Sequence, residues 1–296
     1  METRSNGLAS SHYFEMNSQI VGDRFRIDVG WPLGANVPDK PLRVVYVMDG
    51  NLSFALAHLY CAMQARDLIQ PDFERLLVVG VGYPNPEEMS IRRARDLTPE
   101  NANPPELSAG IAASAKILGL KKAEGGADQF LKFLESELDP VVRANYPTIE
   151  GDTGIVGDSY GGLFTFHCFV KQSKLFNRFW LGSPGVFEQH VSQIKVFESL
   201  VQGKLDRDIK MFLSWGGLEE TGPIDLYRDL AKNTRNLTQI LAAHPNPRLT
   251  WGHTIYPGHT HTTVAFPAQC EALRFLYGAS SVPREIPTAL TPVEAA

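Results

Sequence analysis

The chain is poor in cysteine, and its three cysteines lie far apart at Cys61, Cys168 and Cys270. An odd number of widely spaced cysteines, with no Cys-x-x-Cys pair, argues against both a disulfide framework and a zinc site. We therefore expect three buried thiols, no bound metal and a reducing, cytoplasmic compartment. A secreted protein whose signal peptide has been removed would show the same pattern.

Long apolar runs and excess positive charge are also missing. No segment approaches the length needed to span a bilayer, and residues 1–11 are too polar for a signal peptide. The 28 Lys and Arg against 33 Asp and Glu give a formal net charge of -5, which offers no basic footprint for nucleic acid. We expect neither a membrane nor a nucleic acid as partner, and the oligomeric state stays open.

What the sequence does contain is a regular alternation of strand and helix patterns. Alternating polar and apolar residues at 12–17 and 24–29 predict an antiparallel hairpin. Short β-branched runs then alternate with helical patterns, which is typical of parallel strands joined by helices. The predicted strands are 42–48, 76–81, 153–157, 178–181, 209–214 and 250–255, and the predicted helices are 54–68, 129–144, 163–170, 226–241 and 263–276. The fold class is therefore α/β, with a mostly parallel central sheet and helices on both faces.

Residues 83–126 interrupt this alternation with five prolines and a Gly-Gly pair. We expect a long irregular insertion within a single domain of residues 1–280, followed by a loosely ordered tail at 281–296. The insertion would leave from the carboxyl end of a strand, where α/β sheets bind ligands. It is therefore predicted to wall the substrate pocket as a partial cap, the alternative being a surface insertion without a role.

The most informative motif is Gly-Asp-Ser-Tyr-Gly at residues 157–161, between a predicted strand and a predicted helix. This is the setting of a nucleophile elbow, in which small residues allow a sharp, strained turn. The turn would present the Ser159 hydroxyl above the sheet, at the N-terminus of a helix whose dipole favours negative charge. Ser159 is therefore the candidate nucleophile.

A nucleophilic serine needs a histidine base held by a carboxylate, and in sheets of this kind both follow the serine along the chain. His259 and His261 lie in a loop between the last predicted strand and the last helix, and either could be the base. For the acid, Glu219 follows the strand at 209–214 and is the first choice. Glu220 and Asp225 are alternatives.

The oxyanion of an acyl-transfer intermediate needs two N–H donors. One donor comes from the residue after the nucleophile, which is Tyr160. The second is expected from the loop after the strand at 42–48, where Asn51 or its neighbour Leu52 offers a backbone amide.

With these residues in place, the chain resembles the putative-esterase branch of the α/β-hydrolases, which includes enterochelin-esterase-like and esterase D-like enzymes. The matching motifs are Tyr-Val-Met-Asp-Gly-Asn at 46–51, Val-Gly-Val-Gly-Tyr-Pro at 79–84, Arg-Arg-Ala-Arg-Asp-Leu-Thr-Pro at 92–99, Gly-Asp-Ser-Tyr-Gly-Gly at 157–162, Gly-Ser-Pro at 182–184 and Gly-Gly-Leu-Glu at 216–219. In that family the final motif resembles Gly-Glu-x-His, which aligns with residues 258–261 and implies that His261 is the base. His259 then stands where the family has a glutamate.

The resemblance also implies an α/β-hydrolase fold that works without a cofactor on a small-molecule ester. Its motifs supply the candidate substrate-binding residues, namely Asp49, Gly50, Arg92, Arg95, Ser183 and His259. For the arginines, an alternative is that ion pairs with nearby carboxylates tie down the insertion.

Three functions are compatible with this sequence. The first is a serine carboxylic-ester hydrolase with an acyl-enzyme intermediate, acting on small or siderophore-like esters. The second is an acyltransferase similar to the mycolyltransferases, which passes the acyl group to an alcohol or sugar. The third is a ligand-binding protein that keeps the hydrolase fold without the chemistry.

Overall fold

The computed structural model describes residues 2–34, 40–67 and 73–278. Within them the strands form one eight-stranded sheet of order β1-β2-β4-β3-β5-β6-β7-β8. The strands are β1 Ser11–Ser18, β2 Asp23–Gly30, β3 Leu42–Val47, β4 Leu76–Gly82, β5 Thr148–Asp158, β6 Arg178–Gly182, β7 Ile209–Gly216 and β8 Leu249–Tyr256. The pairings of β1 with β2 and of β2 with β4 are antiparallel, and all others are parallel. The predicted mostly parallel sheet with an N-terminal hairpin is confirmed.

Helices cover both faces of the sheet. They are α1 Gly50–Gln64, α2 Met89–Leu97, α3 Pro105–Ile117, α4 Ala127–Phe133, α5 Asp139–Asn145, α6 Tyr160–Val170, α7 Val191–Gln202, α8 Gly217–Thr221, α9 Asp225–Ala243 and α10 Ala265–Tyr277. One apolar core includes residues of α1 and α10, and the other includes residues of α4, α6, α7 and α9. The central strands are buried on both sides, which explains their continuous apolar sequences.

The insertion at 83–126 is not irregular, and this part of the prediction is wrong. It contains a 3-10 turn at Pro86–Glu88 and the helices α2 and α3. Pro86 and Pro105 each lie in the first turn of their helix, where the missing N–H has no intrahelical partner to lose. These prolines begin helices, whereas the prediction treats them as residues that prevent helices.

The bounds of the predicted helices differ from the structure by up to four residues, and two helices show a local cause or feature. Helix α1 begins at Gly50 instead of residue 54, because Asp49 adopts a left-handed conformation that turns the chain from β3 directly into the helix. The helix predicted at 129–144 extends from α4 to α5 and contains a π-helical turn at Leu134–Leu138.

The three cysteines are free thiols, with Cys61 and Cys168 buried and Cys270 half-buried. In the described part of the chain, no helix combines the length and the apolar character required to cross a bilayer. The tail predicted at 281–296 lies outside the described residues.

Candidate active site

Five neighbouring strands bring the candidate residues to one edge of the sheet. The carboxyl ends of β3, β5 and β6 lead to Asp49, Ser159 and Ser183, while those of β7 and β8 lead to Glu219 and His261. Because these strands are parallel, residues more than 200 positions apart in the sequence meet in one place.

The turn between β5 and α6 has the geometry of an elbow. Ser159 has a φ of 59° and a ψ of -119°, a strained conformation for a residue with a side chain. A Cβ atom on Gly157 would lie 2.4 Å from the carbonyl carbon of Gly161, so no larger residue fits there. The tight turn places the Ser159 hydroxyl at the N-terminus of α6.

His261 connects this serine to an acid. Its Nε2 atom lies 3.0 Å from Ser159 Oγ, and its Nδ1 atom lies 2.9 Å from Glu219 Oε2. The Tyr227 ring of α9 stacks on the imidazole, with the ring centroids 4.6 Å apart and the planes at 18°. Sequence reasoning missed Tyr227, because nothing in the helical pattern of α9 indicates which side chain reaches His261.

The Glu219 carboxylate is buried, and hydrogen bonds to one of its oxygen atoms fix its orientation. Its Oε1 atom accepts hydrogen bonds from the Gly216 N–H at 2.8 Å and from the Ser183 hydroxyl at 2.7 Å, which leaves Oε2 for His261. The two alternative acids have other partners: Glu220 accepts from the Trp215 indole, and Asp225 is ion-paired on the surface. Of the three carboxylates, Glu219 is the one that the structure places on His261.

Two backbone amides are candidates for the oxyanion donors. Tyr160 and Asn51 lie in the first turns of α6 and α1, where N–H groups have no intrahelical acceptor. The Asn51 side-chain amide accepts from Tyr83 N at 2.7 Å and donates to Tyr83 O at 2.8 Å. This pair of hydrogen bonds to Tyr83, just after the end of β4, restrains the first turn of α1.

Several predicted substrate-binding side chains have structural partners instead. Arg92 pairs with Asp23 and Glu88, and Arg95 pairs with Asp23 and Asp96. These are the ion pairs that the alternative interpretation of the arginines predicted.

Three other predicted substrate-binding residues, Ser183, Gly50 and His259, have different surroundings in the structure. Ser183 is 1% exposed, and its hydroxyl donates to Glu219, so this side chain supports the Glu219 carboxylate. A Cβ atom on Gly50 would lie 2.8 Å from the backbone of β4, so this residue permits close packing of α1 on the sheet. His259 is half-buried, and its Nδ1 atom lies 3.0 Å from Thr263 O within its own loop.

Arg93 is the arginine of the insertion that reaches the site. Its guanidinium donates two hydrogen bonds to Asp49, each of 2.7 Å, and lies 5.0 Å from the centre of the Tyr160 ring. The Tyr160 hydroxyl in turn donates to Asn103 Oδ1 at 2.8 Å, and burial raises the pKa of Tyr160 to about 12. The insertion therefore contacts the elbow through α2 and through the segment before α3.

Asp158 is an unusual carboxyl next to the nucleophile. Its Oδ1 atom is buried without a hydrogen-bond partner, and burial, with a further contribution from Glu219, raises the pKa of Asp158 to about 7 against the opposing effect of His261. Because the pKa is higher in the folded than in the unfolded chain, folding favours the protonated form. Stability is then lost as the pH rises towards 7.

We expect Asp158→Asn to stabilise the protein most at alkaline pH. The free energy of unfolding of the variant minus that of wild type should rise by about 2 to 3 kcal/mol from pH 5 to pH 8, measured by urea denaturation. The exposed Asp208→Asn should show no such trend. A difference in stability between variant and wild type that does not change from pH 5 to pH 8 would contradict the raised pKa of Asp158.

No group of three or more His, Cys, Asp or Glu side chains in the described residues is arranged to hold a metal ion.

Comparison with known proteins places this site in a family. Residues 18–243 match the model of the family described as "Putative esterase", and the chain belongs to that family. It is 32% identical to a siderophore enterobactin esterase from Emericella nidulans, over 62% of each chain. It is 28% identical to a siderophore triacetylfusarinine C esterase from Aspergillus fumigatus, over 87% of this chain and 89% of the relative.

A solved structure shows the same architecture. The siderophore hydrolase EstA from Aspergillus nidulans superposes with a TM-score of 0.75 and 25% identity, covering 91% of this chain and 94% of that one. The fold is that of an α/β-hydrolase. Family, fold and site together define a hydrolase of the carboxylesterase type.

Proposed function

We propose that the protein is a serine esterase that works through an acyl-enzyme intermediate, with Ser159 as nucleophile, His261 as base and Glu219 as acid. The observation that supports this best is the continuous hydrogen-bonded chain from Ser159 through His261 to the buried Glu219. A serine hydroxyl in a strained elbow, within 3.0 Å of an imidazole held by a carboxylate, is an arrangement suited to nucleophilic attack.

In the first half of the reaction, Ser159 Oγ attacks the ester carbonyl while His261 Nε2 takes its proton. The Glu219 carboxylate keeps the other imidazole proton on Nδ1 and stabilises the imidazolium. The N–H groups of Tyr160 and Asn51 stabilise the oxyanion. His261 then donates its proton to the leaving alcohol, and the acyl group stays on Ser159.

In the second half, a water molecule replaces the alcohol. His261 takes a proton from the water, the resulting hydroxide attacks the acyl carbonyl, and the carboxylic acid leaves as Ser159 regains its proton. None of these steps requires a metal or organic cofactor. An alcohol in place of the water would give acyl transfer, and product analysis with an added alcohol separates the two outcomes.

For the substrate class, we propose siderophore-like esters. The support comes from the relatives, which are esterases of enterobactin and of triacetylfusarinine C. Assays should compare both compounds, iron-free and iron-loaded, with p-nitrophenyl butyrate. A kcat/KM for every siderophore ester below that for the simple ester would argue against this class.

Covalent labelling tests the chemistry directly. Wild type incubated with a fluorophosphonate should gain one adduct by intact mass spectrometry, because only an activated serine displaces the fluoride. Ser159→Ala and His261→Ala should gain none. The matched control is Ser173→Ala, a buried serine beyond the far end of α6 that should label like wild type. An unlabelled wild type, or a labelled Ser159→Ala, would refute the proposal.

A further inference from the structure

Arg93 lies between the two turns that carry the proposed oxyanion donors. We infer that Arg93 is a positioning residue for the oxyanion hole, holding the turn of Asp49 and Asn51 against the turn of Ser159 and Tyr160. This inference rests on the proposed function and adds a residue that does not itself contact the reacting atoms.

The first contact fixes the turn that leads into α1. Both guanidinium bonds to Asp49 are 2.7 Å long, and the two side chains are only 17% and 8% exposed. A two-pronged, poorly solvated ion pair of this kind defines orientation as well as distance. Asp49 has a φ of 54°, and its conformation sets the direction in which the next amides, including that of Asn51, point. The ion pair therefore stabilises a strained residue two positions before a proposed donor.

The second contact is with the elbow. The Arg93 guanidinium carbon lies 5.0 Å from the centroid of the Tyr160 ring, within the range of a cation–π interaction. The Asp49 carboxylate also packs against the elbow, since a Cβ atom on Gly161 would lie 3.1 Å from Asp49 Oδ2. One guanidinium therefore contacts both halves of the proposed oxyanion hole.

The third argument is electrostatic. Asp49 places a carboxylate beside the N-terminus of α6, where negative charge develops on the substrate oxygen during the reaction. Alone, this carboxylate would repel the oxyanion through a poorly solvated region, where charges interact strongly. The Arg93 cation cancels that charge, so the ion pair contributes to positioning without an electrostatic penalty on the transition state.

The test combines kinetics with a transition-state analogue. Arg93→Met should lower kcat about 10- to 100-fold with little change in KM, because the oxyanion hole acts mainly in the transition state. The affinity for a boronic acid, which forms a tetrahedral anionic adduct on the serine, should fall by a similar factor.

Two further variants separate the contributions of Arg93. Arg93→Lys retains the charge without the two-pronged geometry and should restore part of kcat. The double variant Arg93→Met/Asp49→Asn leaves no unpaired carboxylate and should be about tenfold faster than Arg93→Met alone. It also keeps the test valid if the single variant folds poorly, because the buried charge is gone.

Arg178 provides the matched control. It is a buried arginine with two bonds to Asp152 and lies 4.6 Å from the Tyr277 ring, but it is the first residue of β6, at the opposite end of the sheet. Arg178→Met should lower the melting temperature and leave kcat within about twofold of wild type.

The inference is overturned if Arg93→Met keeps kcat within twofold, or if Arg178→Met loses as much kcat and boronate affinity. In either case, fluorophosphonate labelling of wild type at Ser159 would still support the proposed esterase function. Wild type that neither labels nor hydrolyses esters overturns both.

Discussion

Ser159→Ala is expected to lower kcat for p-nitrophenyl butyrate by about 10⁴- to 10⁶-fold. Without the hydroxyl there is no group to carry the acyl chain, and His261 has no proton to take from a nucleophile. The remaining rate would come from substrate binding and from the oxyanion donors. Stopped-flow assays of wild type and endpoint assays of the variant would measure kcat over this range of rates.

The controls for this variant test whether Ser159 and His261 act as a unit. Adding His261→Ala to Ser159→Ala should reduce the rate little further, because a triad loses most of its effect with its first member. Ser173→Ala, a serine outside the site, should retain wild-type kinetics. Retention of more than a few percent of activity by Ser159→Ala would show that another residue performs the reaction.

Glu219→Gln is expected to lower kcat by about 10³-fold, although the new side chain has the same shape. Two donors, the Gly216 N–H and the Ser183 hydroxyl, both point at Oε1. They would hold the glutamine oxygen there and leave its NH₂ group facing His261 Nδ1. The imidazole would then carry its proton on Nε2, where it cannot accept the proton of Ser159.

Glu220→Gln is the matched control, since the neighbouring glutamate accepts from the Trp215 indole instead of contacting His261. It should keep kcat within about threefold of wild type in the same assay. A larger loss in Glu220→Gln than in Glu219→Gln would show that the acid has been assigned to the wrong glutamate. Fluorophosphonate labelling should be slowed in Glu219→Gln only.

Much of the fold follows from local patterns in the sequence. The buried parallel strands have apolar sequences such as residues 76–82, because both faces of the sheet are covered. The helices of the insertion at 83–126 are not predictable from the sequence, and the reason is also local. A proline such as Pro105 is compatible with the first turn of a helix and with a loop, and composition alone does not distinguish them.

For the site, the elbow around Ser159 is predictable from sequence, because the turn needs small residues at fixed positions near the nucleophile. The sequence also limits the candidate partners of Ser159 to two histidines and three carboxylates. Which of these residues meet depends on the packing of the folded chain, because Glu219 and Glu220 differ in which side of a short helix they occupy. The same reason applies to Arg92, Arg93 and Arg95: their charge is equal, and the packing of α2 alone determines that Arg93 contacts the elbow.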